Sequence, residues 1–130
     1  MTSEKNLTQI YEKRFSGHEI YRNRVWKVLI TKFFSKWIRN TDHILDLGCG
    51  YGEFINHTKC EVRYAMDLNP KTKSLLDKEI IFHQQDCAES WEIDSTSLDL
   101  VFTSNFFEHL PNKESLDRTV GEIRKSLETK

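Results

Sequence analysis

Three glycines at alternate positions, Gly48, Gly50 and Gly52, follow directly on a short apolar segment that runs from Ile44 to Leu47. Such a segment is typical of a buried strand. Glycine adopts positive φ without strain and lets a ligand come close to the backbone, so three of them within five residues predict a ligand-binding turn. Asp46 would lie at the carboxyl end of the strand, where open α/β sheets bind their ligands.

The spacing of the glycines differs from the dinucleotide-binding pattern G-x-G-x-x-G, whose third glycine would occupy position 53. That position holds Glu53, and its carboxylate would repel a pyrophosphate. A positively charged ligand therefore fits the loop better, and a nicotinamide-dependent oxidoreductase is disfavoured.

The segment from Leu45 to Gly52 resembles motif I of class I S-adenosylmethionine-dependent methyltransferases, whose cofactor carries a sulfonium and an amino group. The resemblance covers about residues 19–130. It implies an α/β fold, a Rossmann-like parallel sheet with helices on both faces, and S-adenosyl-L-methionine as cofactor. A complete member has seven strands in the order 3-2-1-4-5-7-6, whereas this chain supplies about four, in the order 3-2-1-4.

Apolar periodicity predicts alternating strands and helices, a pattern that indicates βαβ units with right-handed crossovers. We expect residues 1–18 to be a mobile segment and residues 19–130 to form one domain. The predicted strands are 43–47, 62–67, 80–83 and 98–103, and the predicted helices are 19–39, 52–58, 71–77 and 112–129.

The first predicted helix carries an apolar stripe at four-residue steps. Tyr21, Val25, Leu29 and Phe33 form the stripe, and five further apolar residues widen it, namely Trp26, Ile30, Phe34, Trp37 and Ile38. We expect this stripe to pack on the sheet, in preference to lying on a membrane surface. In the closing helix, we expect the apolar face to consist of Leu116, Val120, Ile123 and Leu127.

The family resemblance also implies roles for residues near the strand ends. Asp67 and the adjacent Leu68 would meet the cofactor ribose, although Asp67 could instead cap the next helix. Asp86 and Cys87 would meet the adenine, with an exposed loop acid as the alternative for Asp86. Cys49, Tyr51 and Asn105 complete the expected cofactor contacts, while Tyr11 and Arg14 could approach the cofactor carboxylate.

The segment Ser104–Pro111 resembles the post-strand motif, ending in Glu-His-Leu, of the branch that methylates small molecules. It lacks the two prolines of the branches that methylate bases or glutamine. Glu108 and His109 could supply a general base, because an imidazole titrates near neutrality. The alternative is that His109 shapes the cofactor pocket. The expected reaction is methyl transfer to oxygen or carbon of a small molecule.

Charge and composition limit the other partners. The net charge is −1, with +6 over residues 1–40 and −7 over residues 41–130. This balance does not predict a nucleic-acid partner, and the basic segment could collect an anionic substrate or dock on the acidic body. Three cysteines without C-x-x-C spacing predict reduced thiols, with Cys49 a small buried residue rather than a reactive one. We expect no metal, no membrane insertion and a cytoplasmic location.

The missing strands leave a second interpretation open. The chain could be a non-catalytic cofactor-binding or interaction module left by truncation of such an enzyme. The fourth strand would then have an unpaired edge beside Leu100, Val101 and Phe102. An apolar edge without charge or proline favours self-association.

Overall fold

The computed structural model describes residues 18–127 and is built around a parallel four-stranded sheet. The strand order β3-β2-β1-β4 confirms the expected topology. Central strand β1 is buried on both faces, as its apolar sequence predicts. The strands are β1 (His43–Leu47), β2 (Val62–Asp67), β3 (Ile81–Gln84) and β4 (Leu100–Thr103).

Helices cover both faces of the sheet. Helix α1 runs through residues 18–32, α2 spans Glu53–His57 and α3 spans Lys113–Leu127. Three short 3₁₀ segments, Phe34–Lys36, Pro70–Leu75 and Phe107–His109, join these elements.

Two of the predicted helices differ from the observed ones. The predicted helix 19–39 ends at residue 32, and the chain then tightens into a 3₁₀ turn that brings Phe34 against Trp26, with ring centroids 6.3 Å apart. The predicted helix 71–77 is the 3₁₀ segment that begins at Pro70. There the Asn69 side chain accepts the Lys71 N–H, and the Asn69 carbonyl accepts the Thr72 N–H over three residues, which sets the tighter winding.

One core layer lies between the sheet and helices α1 and α2. Ile30 of α1 and Phe54 and Ile55 of α2 are buried there against Ile44. The Phe54 and Phe102 rings stack with centroids 3.7 Å apart. This contact joins α2 to β4 beneath α1.

The other core layer lies between the sheet and α3. Leu45, Leu47 and Met66 point to this side, together with Trp91 and Leu98. Asn112 caps helix α3 as expected, because its side chain accepts the Ser115 N–H at 2.8 Å. Its expected apolar face is wrong in part. Ile123 and Leu127 pack against this core, but Val120 is exposed and the buried positions of the helix are Ser115, Thr119 and Ser126. Thr119 satisfies its hydroxyl by donating to the Ser115 carbonyl, which lets a polar residue pack close to the sheet.

The expected packing face of α1 and of the turn after it is correct only in part. Tyr21, Val25 and Phe33 are exposed, whereas Ile30 is buried and Trp26, Phe34 and Ile38 pack against the same core. Most of the residues that widen the stripe thus face the sheet, whereas Tyr21, Val25 and Phe33 of the four-residue pattern face outward. Periodicity could not decide between them, because the helix carries apolar residues on both sides.

Strand β4 pairs with β1 and with no other strand of the described chain. Its outer edge therefore has no strand partner within residues 18–127, as expected for the fourth strand. β4 begins two residues later than predicted, since Leu98 N–H donates to the Ser126 carbonyl of α3 before the ladder starts. The expected mobile segment 1–18 lies almost wholly outside the described residues, as do Tyr11 and Arg14.

Candidate functional site

The carboxyl ends of three strands meet at one edge of the sheet. Leu47, the last residue of β1, pairs with Met66 of β2 on one side and Thr103 of β4 on the other. The Thr103 hydroxyl donates to the Leu47 carbonyl at 2.9 Å, which fixes β4 against β1 where the glycine loop begins. The loops that follow these strands are therefore neighbours.

The three glycines of the loop all have positive φ, but a side chain would meet different surroundings at each. At Gly48 (φ +69°) a Cβ atom would lie 2.3 Å from the Phe106 ring, and at Gly52 (φ +75°) it would lie 2.4 Å from Leu76. At Gly50 (φ +55°) it would meet nothing within 4 Å. Gly48 and Gly52 thus permit close packing within the protein, whereas Gly50 borders open space.

Main-chain hydrogen bonds hold the loop on β2. The Gly48 and Cys49 N–H groups both donate to the Met66 carbonyl, at 2.9 and 3.2 Å. The Gly50 N–H donates to the Asp67 carboxylate at 2.9 Å. The loop conformation is therefore fixed by the neighbouring strand, so Gly50 is positioned without a ligand.

Asp67 ends β2 and uses both carboxylate oxygens locally. One accepts the Gly50 N–H and the other accepts the Asn69 N–H at 3.0 Å. A carboxylate oxygen has two lone pairs, so each can still accept a hydrogen bond from a ligand. Asp67 does not cap the following 3₁₀ segment, because Asn69 does so. Leu68 beside it is exposed.

Asp46 lies beneath the loop and is only 3% exposed. Burial raises its pKa from 3.8 to about 8, and the charges of Asp67 and Glu53 add to the rise, while a hydrogen bond from the Ile55 main chain opposes it. Asp46 therefore holds a proton at neutral pH in this state. A cation placed beside it would favour the ionised carboxylate and lower the pKa.

Two of the expected cofactor contacts are cysteines whose thiols are buried. Burial raises the pKa of the Cys49 thiol well above its usual range, and the charge of Asp46 acts in the same direction. This confirms Cys49 as a buried rather than a reactive residue. Cys87 packs in the α3 layer, where its sulfur lies 3.4 Å from the Thr119 hydroxyl. Because this side chain packs inside the protein, Cys87 could contact a cofactor only through its main chain.

The remaining predicted residues lie on loops beyond the strand ends. The Asp86 carboxylate accepts the Ala88 N–H at 2.9 Å and is half-buried. Asn105 is exposed and adopts φ +53°, a conformation that asparagine tolerates better than most residues. The chain reverses there and brings Phe106 onto Gly48.

Glu108 and His109 lie in the 3₁₀ segment after β4. Their side chains are 61% and 73% exposed, and His109 Nε2 is 3.6 Å from Glu108 Oε1. The structure thus brings the two groups together at the surface. This exposure leaves both free to meet a molecule in solution, but it does not bury either of them in a pocket.

A family model described as a methyltransferase domain matches residues 18–130. The chain belongs to this methyltransferase family. No curated protein sequence matches it.

Solved structures of methyltransferases share the fold of this methyltransferase domain at low sequence identity. An S-adenosylmethionine-dependent methyltransferase from Archaeoglobus fulgidus has 22% sequence identity and a TM-score of 0.66, and the match covers 93% of this chain and 53% of that protein. A methyltransferase from Methanosarcina mazei has 19% sequence identity and a TM-score of 0.62, and the match covers 75% of this chain and 52% of that protein. A third structure is phosphoethanolamine N-methyltransferase 1 of Haemonchus contortus, solved with phosphoethanolamine and S-adenosylhomocysteine. It has 18% sequence identity and a TM-score of 0.65, and the match covers 81% of this chain and 23% of that protein. The chain thus spans about half the length of the two archaeal proteins.

One residue of the site was missed by the sequence analysis. Arg22 of α1 donates from Nε to the Glu53 carboxylate, and its guanidinium lies 4.9 Å from the centre of the Tyr51 ring. Its Nη2 is buried without a hydrogen-bond partner in the described chain. A buried donor of this kind is costly unless something accepts from it. No local pattern predicts the contact, because Arg22 and Glu53 are 31 residues apart.

The described residues contain no cluster of His, Cys, Asp and Glu side chains that could hold a metal ion. No helix within residues 18–127 combines the length and apolarity needed to cross a bilayer.

Proposed function

We propose that this methyltransferase domain binds S-adenosyl-L-methionine at the carboxyl edge of the sheet, against the glycine loop. The observation that carries the proposal is the space beside Gly50. A Cβ there would meet no atom of residues 18–127 within 4 Å, apart from its chain neighbours, whereas Gly48 and Gly52 are closely packed. Of the three glycines, only Gly50 leaves room for a ligand at the place of a side chain. When bound, the cofactor supplies an electrophilic methyl group on a positively charged sulfur.

Three ionisable residues support a cofactor with cationic and anionic groups. Asp46 would ionise beside the amino group, because a nearby positive charge stabilises the carboxylate. Asp67 would accept the ribose hydroxyls with its unused lone pairs. The unpaired Nη2 of Arg22 would donate to the cofactor carboxylate, a charge-assisted bond of the strong kind. Tyr11 and Arg14, which the resemblance also suggests for this carboxylate, lie outside the described residues.

The other cofactor contacts are proposed from their position. Leu68 is exposed directly after Asp67, so its apolar side chain could pack on the ligand. Asp86 and the Cys87 main chain follow β3 and are proposed to meet the adenine. Tyr51 is exposed directly after Gly50 in the glycine loop, and Asn105 is exposed on the loop after β4. Both are proposed to border the bound cofactor.

We propose a small-molecule acceptor with an oxygen or carbon nucleophile. Support comes from the segment after β4, which lacks the paired prolines of the base-methylating branches, and from Glu108 and His109, which lie at the surface within 3.6 Å of each other. In this arrangement His109 would take the proton of the acceptor. Most of the acceleration would come from holding the nucleophile in line with the methyl group.

The second candidate function is a non-catalytic cofactor-binding or interaction module. It is favoured by the outer edge of β4, which pairs with no strand of the described chain. The described residues supply the glycine loop and the acids, but a wall for the acceptor would have to come from elsewhere.

Calorimetry and a methyl-transfer assay together test the proposal. We expect the chain to bind S-adenosylmethionine and S-adenosylhomocysteine but not NAD. Gly50→Asn should abolish binding without unfolding, because asparagine tolerates positive φ but fills the space. Gly121→Asn is the matched control, since Gly121 also borders open space, on α3. Normal affinity in Gly50→Asn would show that the ligand lies elsewhere.

The methyl-transfer assay distinguishes the two candidate functions. Acceptors that offer hydroxyl, carbon and amine nucleophiles are supplied separately, the last because the Haemonchus relative is named for nitrogen methylation. Transfer to a hydroxyl or carbon supports the enzyme. Cofactor binding without transfer to any of the three supports the module.

A further inference from the structure

Helix α1 presents a second apolar face, on the side away from the sheet. Val28 is 59% exposed and Tyr21 is 68% exposed, while Val25 and Ile20 are exposed near them. The four residues lie within about half of the helix circumference at 100° per residue. Contiguous exposed apolar side chains of this kind mark an interaction surface more often than single ones do.

The same face is basic and carries no acid. Arg24, Lys27 and Lys32 lie among its apolar residues, and Lys36 and Arg39 follow in the turn after α1. None of these five side chains forms an ion pair within residues 18–127. Arg22, by contrast, points inward to Glu53. The outward charge of α1 is therefore unneutralised by the rest of the described fold.

An aromatic cluster closes the surface at the end of α1. Phe33 and Trp37 are both exposed, and their rings meet edge to face with centroids 5.0 Å apart. The Lys36 ammonium lies 5.4 Å from the centre of the Phe33 ring. Trp37 is the only exposed tryptophan of the three, because Trp91 is buried and Trp26 packs against the core.

A bilayer surface with anionic headgroups matches this combination of side chains. Aromatic and aliphatic groups enter the boundary between headgroups and acyl chains, and lysine and arginine pair with the lipid phosphates. A nucleic acid would use the basic and aromatic groups but offers nothing to Val25 and Val28. A second copy of the chain could offer its acidic body, but that would leave the aliphatic side chains facing charge.

We propose that the outward face of α1, together with Phe33 and Trp37, docks this domain on anionic lipid membranes. The helix would lie parallel to the bilayer without crossing it. Arg22 on the inner side of α1 contacts Glu53 and Tyr51, so docking would hold the glycine loop close to the membrane surface. This proposal goes beyond the proposed methyl transfer and does not depend on it.

Vesicle sedimentation of the full chain tests the docking. Vesicles of phosphatidylcholine alone are compared with vesicles that also contain phosphatidylglycerol, at low and high salt. We expect binding to the anionic vesicles only, weakened by salt. The tryptophan emission of the chain should shift to shorter wavelength and be quenched by brominated lipid, and both changes should be lost in Trp37→Phe. Binding that ignores the anionic lipid, or an unshifted emission, would overturn the proposal.

Matched variants identify the surface. Val28→Glu should lower vesicle affinity at least about tenfold, whereas Val120→Glu, an exposed valine on the opposite sheet face, should not. The double variant Lys32→Glu/Lys36→Glu should do the same, with Lys113→Glu as its control. All five substituted positions are exposed, so the fold is retained, and thermal melting checks this. Equal loss in variants and controls would contradict the assignment.

Two other occupants give distinct results. A second copy would shift the Trp37 emission with rising protein concentration in the absence of lipid, in step with dimer formation in the ultracentrifuge. A nucleic acid would shift it on addition of single-stranded RNA, with Val28→Glu having no effect. Either result in place of lipid binding overturns the proposal.

Discussion

Replacing Asp46 by asparagine should make the stability of this domain less dependent on pH. The wild-type carboxyl is buried, and its pKa is raised to about 8. In the unfolded chain it titrates near its ordinary value of 3.8. The folded protein therefore keeps a proton that the unfolded chain releases. Asparagine has nearly the same shape and no proton to lose, so it avoids this difference.

The sign and size follow from linkage. A carboxyl whose pKa is raised on folding contributes stability below pH 4, and that contribution is lost as the pH rises from about 4 to about 8. A rise from 3.8 to about 8 corresponds to at most roughly 5–6 kcal/mol, at about 1.4 kcal/mol per pH unit. That is comparable with the whole stability of a small domain, about 5–15 kcal/mol. We therefore expect the free energy of unfolding of the wild type to be much lower at alkaline pH than near pH 4.

Urea unfolding of both proteins measures the effect. The stability of Asp46→Asn minus that of the wild type should be smallest near pH 4 and several kcal/mol larger near pH 9. Using the difference cancels the groups that titrate in both proteins. Asp117→Asn, at an exposed position on α3, is the control and should show no such growth. A difference that stays constant across this range would refute the burial argument for Asp46.

Three further predictions concern the site and the sheet edge. Asp67→Ala should weaken cofactor binding about ten- to hundredfold; if Asp67 holds the ribose, a deoxyribose analogue should lose affinity in the wild type but not in this variant. His109→Gln should lower kcat, leave the cofactor Kd within a few-fold and remove the acidic limb of the pH–rate profile, whereas a large change in Kd would assign His109 to the pocket. The free edge of β4 should cause self-association, which sedimentation velocity across a concentration series would detect; a strictly monomeric chain would contradict this.

Much of the fold could be predicted because its signals are local. Ile44–Leu47 forms a continuous apolar run, and a strand buried on both faces requires such a run. The glycines and Asp46 follow at fixed spacing, and turn conformations depend on neighbouring residues. The bounds of β1 were therefore correct, and those of β2 agreed as closely. The strand order agreed as well, because it was carried by the family resemblance of the same segment.

The faces of the helices could not be predicted in the same way. Helix α1 has apolar residues all round, so its sequence allows either Tyr21 or Trp26 to face the sheet. The choice is made by shape, because Trp26 and Phe34 fit around the stacked pair of Phe54 and Phe102. In α3, the small Ser115 and Thr119 allow a close approach that hydropathy would not favour. Packing depends on volumes contributed by distant segments, and periodicity contains no information about them.

The sequence by itself determined that three glycines and two acids would stand at the end of adjacent strands, since both follow from local patterns. Only the tertiary structure decided what each glycine is for. Gly48 and Gly52 are closed by Phe106 and Leu76, which come from later segments, and Gly50 remains open. The tertiary structure likewise raised the pKa of Asp46, because it buried this side chain. Burial and clearance are properties of assembled neighbours, so residues far apart in the chain had to meet before these differences could arise.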